Sequence, residues 1–128
     1  MKIEVSIGEV VDKITILQIK EKNIKDKTKL NYIRQELGAL QSALQDENIK
    51  VPEELVNELR DVNQKLWDTE DIIRLLEKEE NFNDDFVKHA RLDAILNDER
   101  FLVKNKINNH CDSFIKEQKS YEGLYTAD

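Results

Sequence analysis

The sequence contains very few of the residues that interrupt helices: three Gly and one Pro among 128 residues. Both are unfavourable inside helices, whereas a sheet with many turns needs more of each. Aromatic residues make up only 6% of the chain, so we expect a core built mainly from Leu, Ile and Val. These shortages argue against an all-β fold and predict a few long helices joined by short loops.

Cysteine and long apolar runs are also scarce. The single cysteine, Cys111, excludes an internal disulfide. No apolar run approaches the roughly 20 residues that span a bilayer, and the N-terminus shows no apolar region and cleavage site typical of a secretory signal. We therefore expect a cytoplasmic protein that does not enter a membrane.

The charge balance limits the partners. The formal net charge is −7, and binding to a phosphate backbone needs a concentrated basic surface, so we expect no nucleic acid partner. Basic residues are in excess between Val10 and Arg34, and acidic residues between Asp46 and Asp85. Because mixed-sign helix faces are usually solvated or paired, these two segments are expected to pack side by side and partly neutralise each other.

The first helix has a clear start signal. Ser6 and Glu9 have the Ser-x-x-Glu spacing of a capping box, in which each side chain satisfies a free backbone N–H at the start of a helix. A short extended lead-in precedes Ser6, and the helix is predicted from Ile7 to about Lys25. Apolar residues then fall on one helical face: Ile7, Val10, Val11, Ile14 and Leu17.

Apolar residues at heptad spacing predict the second helix. We expect it from Lys29 to about Gln45, with Thr28 as N-cap. Gly38 lies inside it and weakens it by about 1 kcal/mol relative to Ala, unless another helix crosses closely there. The seam consists of Leu30, Ile33, Leu37, Leu40 and Leu44.

The third and fourth helices follow a break at 46–51. Pro52 suits the first turn of the third helix, which is predicted to reach Glu79. Asn83 suits the N-cap of the fourth, which is predicted to end near Phe114 or Ile115. The seam of the third helix consists of Leu55, Leu59, Val62, Leu66, Thr69, Ile73 and Leu76. Residues 119–128 are predicted to form an irregular tail.

These elements predict an all-α fold: one domain, 1–128, formed by an antiparallel bundle of about four long helices. Heptad seams on two helices also favour self-association, because a dimer would bury apolar surface that a thin bundle leaves exposed. We therefore expect a homodimer or a protein partner.

The candidate site lies on the third and fourth helices. Trp67, Glu70, Asp71 and Arg74 form a polar group on the third helix, and Glu70 and Arg74 have the i,i+4 spacing of an ion pair. On the fourth helix Glu99, followed by Arg100, falls within an apolar stripe formed by Leu92, Ile95, Leu96, Leu102, Val103 and Ile107.

Two interpretations of this cluster stay open. In one, the arginines hold an anionic ligand in a pocket between the helices and Trp67 forms an apolar wall. In the other, the charges form a buried ion-pair network that fixes helix register. Side chains that converge on an open cleft would favour the first, and side chains paired with one another in a closed interface the second.

The usual catalytic and cofactor motifs do not occur. There is no glycine-rich phosphate loop, no nucleophile elbow and no His-Glu-x-x-His, so we expect no cofactor and no metal. A weaker alternative rests on Glu77 and Glu80, which have the i,i+3 spacing that helical nucleotide pyrophosphohydrolases use to hold magnesium. His89, with Asp85 and Asp93 one turn away on either side, is a further weak metal-site alternative.

The segment Ile3–Leu17, which reads IEVSIGEVVDKITIL, resembles the start of a small family of uncharacterised bacterial and phage proteins. The segments 66–74 and 97–100 are similar to two further blocks of that family, except that Thr69 stands where Ile is expected. Relatives near genes for surface-polysaccharide assembly imply a role beside glycosyl transfer or sugar-nucleotide handling. The family has no established catalytic residues to transfer.

Taken together, the sequence favours a small helical accessory protein that acts through a dimer or partner interface, and it identifies no enzymatic reaction. The alternative is a small all-α enzyme or anionic-ligand binder, for example one that hydrolyses nucleotides with magnesium. In that case the Glu/Arg cluster of the third and fourth helices would form the site.

Overall fold

The structure, a computed structural model, describes residues 1–124 and contains four helices. Their bounds are Ile7–Asn23 (α1), Lys27–Asp46 (α2), Glu53–Lys78 (α3) and Asp84–His110 (α4). No strand occurs within residues 1–124. The predicted all-α fold is therefore confirmed.

The helices form two antiparallel hairpins, and α1 of the first packs against the second. In the first hairpin the ion pairs Lys13–Glu36 (3.9 Å) and Glu21–Arg34 (3.2 Å) join α1 to α2 in opposite chain order. The second hairpin consists of α3 and α4. Helix α1 packs against all three other helices, whereas α2 packs mainly along α1.

The core has two parts, and α1 contributes to both. Between α1, α3 and α4 lie the buried residues Val11, Leu59, Val62, Leu66, Leu96, Val103 and Ile107. Between α1 and α2 lie Val10, Ile14, Leu17, Ile33 and Leu37. The predicted seams of α2 and α3 are thus used inside the chain. Because α1 is enclosed from two sides, its polar residues Asp12 and Thr15 are buried as well.

Three of the helix caps can be compared with their predictions. The Glu9 N–H donates to Ser6 Oγ at 3.1 Å, which confirms Ser6 as the N-cap of α1. Asn83 is confirmed as the N-cap of α4, where its side chain accepts from Phe86 N–H at 3.1 Å. The prediction of Thr28 for α2 is wrong, because the Asp26 carboxylate accepts from Lys29 N–H at 2.9 Å and the helix begins at Lys27.

Helix α4 ends at His110, several residues before the predicted end. The backbone turns at Asp112, which has a φ of 52° in the left-handed region. This turn lets the Ser113 hydroxyl accept from the Ile7 N–H at 3.1 Å. At the point where the chain leaves α4, its side chains accept hydrogen bonds from backbone N–H groups that are free at the start of α1.

Gly8 marks the closest approach between α1 and α4. Its N–H donates to Asn108 Oδ1 at 2.6 Å. A Cβ at this position would lie 2.6 Å from the Lys104 carbonyl oxygen and 2.8 Å from Asn108 Oδ1, which is closer than real Cβ contacts allow. At Gly38, by contrast, a Cβ would meet no other atom of the described chain within 4 Å, so no helix of residues 1–124 crosses there.

The C-terminal segment 111–124 forms a strap along α4 without helical structure. Glu117 Oε1 accepts from Lys104 Nζ at 2.6 Å, and Leu124 N–H donates to Asp98 Oδ2 at 2.5 Å. Residues 119–124 are not helical, and residues 125–128 of the predicted tail lie outside the described residues. None of the four helices is long and apolar enough to cross a membrane.

Candidate functional site

An open cleft of about 260 Å³ lies between α1, α3 and α4. Five of the six residues that the sequence singled out line it, and α1 supplies most of the remaining wall. The predicted residues are Trp67, Glu70, Asp71, Arg74 and Arg100. The others are Ile16, Ile19, Lys20, Asn63 and Leu66.

The prediction for Glu99 is wrong. Its side chain is exposed and does not line the cleft. The buried stripe of α4 runs through Leu96 and Val103, with Arg100 between them, so the apolar face passes one residue further along the chain than expected. Leu102, which is predicted to belong to that stripe, is also exposed.

Arg100 is held at the floor of the cleft by a buried carboxylate from α1. Its Nε donates to Asp12 Oδ1 at 2.8 Å and its Nη2 to Asp12 Oδ2 at 2.5 Å, which is a bidentate pair. The Asp12 side chain is only 1% exposed. This hydrogen bond to Asp12 is the main cause that raises the pKa of Arg100 above its ordinary value, against the opposing effect of burial.

Asn63 of α3 completes this network. Its Nδ2 donates to Asp12 Oδ1 at 3.0 Å and to Thr15 Oγ1 at 2.9 Å, and all three side chains are buried. Three helices are thereby joined through one carboxylate. Neither Asp12 nor Asn63 is among the residues predicted to form the site. The sequence signal that could have found them is an acid on the most apolar helix and a polar residue next to the seam of α3.

Two cations of the cleft have no acidic partner among residues 1–124. Lys20 is half-buried and Arg74 exposed, and neither side chain forms an ion pair within residues 1–124. The i,i+4 pair predicted between Glu70 and Arg74 therefore does not form within 4 Å. Trp67 is half-buried beside them and presents an aromatic surface to the cleft.

The Glu70 carboxyl contacts Asp93 of α4 instead of Arg74. Burial raises the pKa of Glu70, and the hydrogen bond and charge of Asp93 raise it further, against the opposing charges of Arg74 and Arg100. Asp93 Oδ1 is buried and has no hydrogen-bond partner in the described part of the chain. Since two carboxylates are both acceptors, the pair can hydrogen-bond only when one of them carries a proton.

A second charged cluster lies one turn along α4 from Arg100. Lys104 is 6% exposed, and its Nζ lies 2.8 Å from Glu9 Oε2 and 2.6 Å from Glu117 Oε1. Burial alone would lower the pKa of Lys104, but the hydrogen bonds to Glu117 and Glu9 outweigh it, and the pKa is raised. Glu9 is therefore drawn to Lys104 rather than closing the capping box predicted with Ser6.

The outer face of α4 is apolar and uncovered. A groove of about 410 Å³ lies there, beside the end of the C-terminal strap. Val87 is 52% exposed and the nearby Phe82 57%. The groove is lined by Phe86, Val87, Ala90, Arg91, Ala94, Ile95 and Leu124. We refer to this set as the α4 groove.

The metal alternatives find no support in the geometry. Among residues 1–124 no group of three or more His, Cys, Asp or Glu side chains is arranged to hold a metal ion. Glu77 and Glu80 are exposed near the end of α3 and do not line the cleft. His89 pairs with Asp85, with its Nδ1 3.4 Å from the carboxylate and 2.8 Å from the carbonyl oxygen.

The geometry contains a feature of each interpretation of the cluster. Glu70, Arg74 and Arg100 converge on an open cleft and do not pair with one another, as the ligand-binding interpretation requires. The buried ion pair that does exist joins Arg100 to Asp12, which neither interpretation included. The cleft and the structural network therefore share one residue, Arg100.

Comparison with known proteins identifies a family whose function is unknown. The model of a family described as "Family of unknown function (DUF6165)" matches residues 1–127, so the chain belongs to this family. No curated protein and no solved structure matches the chain.

Proposed function

We propose that this member of DUF6165 is a small binding protein that holds an anionic ligand in the cleft between α1, α3 and α4. The observation that carries the proposal is that Lys20 and Arg74, two cations without an acidic partner among residues 1–124, line one cleft together with the half-buried Trp67. Arginine binds an anion through a planar fork and lysine through a point charge, and an indole supplies an apolar wall.

The size of the cleft limits the ligand. About 260 Å³ is just below the range of roughly 300–1,000 Å³ typical of ligand pockets. A single phosphate- or sulfate-bearing group with a small attached moiety fits this volume better than an extended cofactor. Sugar nucleotides contain such groups, so a role beside polysaccharide or sugar-nucleotide enzymes of the cytoplasm belongs to this proposal.

Titration calorimetry with sulfate and pyrophosphate tests it. Each of R74Q and K20Q removes one charge-assisted contact of about 1.5–3 kcal/mol, so we expect the affinity to fall about tenfold or more. K78Q is the matched control, because Lys78 is exposed at the end of α3 and does not line the cleft. Equal losses in all three variants, or no binding to the wild type at millimolar anion, would contradict the proposal.

The α4 groove favours a second function, association with another copy of the chain. Monomeric proteins rarely leave a large contiguous apolar patch exposed, and the small side chains of Ala90 and Ala94 permit a helix to approach closely. The proposed homodimer would bury this face of α4 in each protomer. An accessory protein of this kind can bind its ligand and associate through different surfaces.

Light scattering at several concentrations tests the dimer. A94E places a charge in the α4 groove and is expected to give a monomer, whereas A39E places the same charge on the exposed side of α2 and leaves the dimer intact. A wild-type chain that stays monomeric at about 1 mM would refute association through this face.

A further inference from the structure

We infer that Glu70 and Asp93 form a proton-holding carboxyl pair that makes anion binding in the cleft depend on pH. This inference rests on the proposed function of the cleft and adds its regulation. The carboxyl pair is a different part of the molecule from the cations Lys20 and Arg74, which would contact the anion.

The geometry places the two carboxyl groups across the α3–α4 interface. Glu70 lies on α3 and lines the cleft, and Asp93 lies on the facing helix α4, close enough to act on the Glu70 carboxyl, with a buried Oδ1 that has no hydrogen-bond partner within residues 1–124. Two carboxylates in contact repel each other unless a proton is shared between them, and such a pair releases its protons in steps that belong to the pair. A buried oxygen without a donor is the feature that a shared proton explains.

The charged groups around the pair come from three helices. On α3, Asp71 and Arg74 flank Glu70, and on α1 Lys20 lines the same cleft. On α4, Arg100 is neutralised by Asp12, and His89 is held by Asp85. The charges of Arg74 and Arg100 lower the pKa of Glu70, but burial and Asp93 outweigh them and the pKa is raised.

The consequence for binding follows from linkage. While the pair holds its proton, Lys20 and Arg74 face the cleft without a carboxylate charge from Glu70 beside them. When the proton leaves, a negative charge develops next to the position of the anion and opposes binding. By reciprocity, a bound anion raises the proton affinity of the pair by the same factor by which protonation of the pair raises the affinity for the anion.

Sulfate is the suitable probe, because its charge does not change over the pH range concerned. We expect its affinity for the wild type to be at least about fivefold higher near pH 5 than near pH 8. E70Q is expected to bind sulfate with little pH dependence, since its side chain stays neutral. D71N is the matched control: Asp71 lines the cleft but lies outside the carboxyl pair, so the pH dependence should remain.

The outcomes separate the two proposals. If the wild type does not bind sulfate at either pH, the proposed function fails. If it binds equally well at both, or if D71N abolishes the pH dependence as E70Q does, the carboxyl pair is refuted while binding stands.

A measurement without ligand tests the pair directly. In a ¹³C NMR titration of the side-chain carboxyl groups, Glu70 should titrate above the ordinary range of glutamates in the wild type. It should return towards that range in D93N, which removes the like charge. Ordinary titration of Glu70 in the wild type would overturn the inference.

Discussion

Replacing Asp12 with Ala should destabilise the protein more than any surface change. Asp12 accepts two hydrogen bonds from Arg100 and one from Asn63, and it is 1% exposed. The variant D12A leaves the guanidinium of Arg100 at the floor of the cleft without its carboxylate. It also leaves a space at the point where α1, α3 and α4 meet.

The size of the effect follows from the burial of the two partners. Breaking a buried ion pair by removing one side typically costs about 3–5 kcal/mol. The Arg100 side chain keeps 28% exposure, so water can solvate it in part. We therefore expect the lower end, about 3 kcal/mol, which corresponds to a fall in Tm of roughly 10 °C for a domain of this size.

The assay is urea unfolding followed by circular dichroism, with a double-mutant cycle. R100M should cost at least as much as D12A, because it strands a carboxylate that is almost fully buried. The double variant D12A/R100M removes both charges and should recover part of the loss. E36A is the surface control, since Glu36 pairs with Lys13 at 52% exposure of both side chains and should cost at most about 1 kcal/mol.

The reasoning is refuted if D12A costs less than about 1 kcal/mol, the range of exposed pairs. It is also refuted if the losses in D12A and R100M simply add in the double variant. Additive losses would mean that each residue stabilises the fold through contacts unrelated to the other.

Three further predictions concern other parts of the structure. G8A should lower the free energy of unfolding by about 1–3 kcal/mol in urea titrations, because its Cβ would overlap the backbone of α4. K104M removes the cation between Glu9 and Glu117 and should increase proteolysis of the C-terminal strap, as followed by mass spectrometry. The pKa of Glu70 is raised, so the wild type loses stability as the pH rises through that pKa. E70Q should therefore be stabilised relative to the wild type at neutral pH, but not at about pH 4, in thermal melts.

Local signals made much of the fold predictable. The caps Ser6 and Asn83 each use a side chain that accepts from a backbone N–H three residues later, so a few residues of sequence contain the whole interaction. The seams of α2 and α3 depend on helical periodicity alone. The prediction of Thr28 as N-cap is wrong because Asp26, two residues earlier, also has a side-chain oxygen that can accept from a backbone N–H. The sequence pattern is compatible with either residue.

The candidate site was harder to predict because its residues are joined across long sequence separations. Periodicity placed Glu99 in the apolar stripe of α4, whereas the structure places Arg100 at the buried position, a rotation of one residue around the helix. Which of these two residues is buried depends on the hydrogen-bond partner of Arg100. That partner is Asp12, which is far away in the sequence. The position of Lys104 likewise depends on Glu117 in a segment without helical pattern.

The basic and acidic segments lie side by side as expected, because α1 packs against α3, but no ion pair joins the two segments within residues 1–124. Two ion pairs join α1 to α2 and two join α1 to α4, and Glu58 of α3 pairs with Lys106 of α4 at 3.0 Å. The charges of α1 are therefore paired with α2 and α4 and not with the acidic α3. Local composition could not reveal this, because it does not show which helices are neighbours.

The position of α1 between α2 and the α3–α4 hairpin has a consequence for biosynthesis. As the ribosome releases the chain, α1 and α2 can pair early, because their contacts join residues near each other in sequence and therefore form quickly. The other side of α1, with Asp12, has no partner until Asn63 and later Arg100 have emerged. During that interval an unpaired carboxylate on an apolar helix face remains in water. It keeps this half-finished surface hydrated until α3 and α4 arrive to cover it.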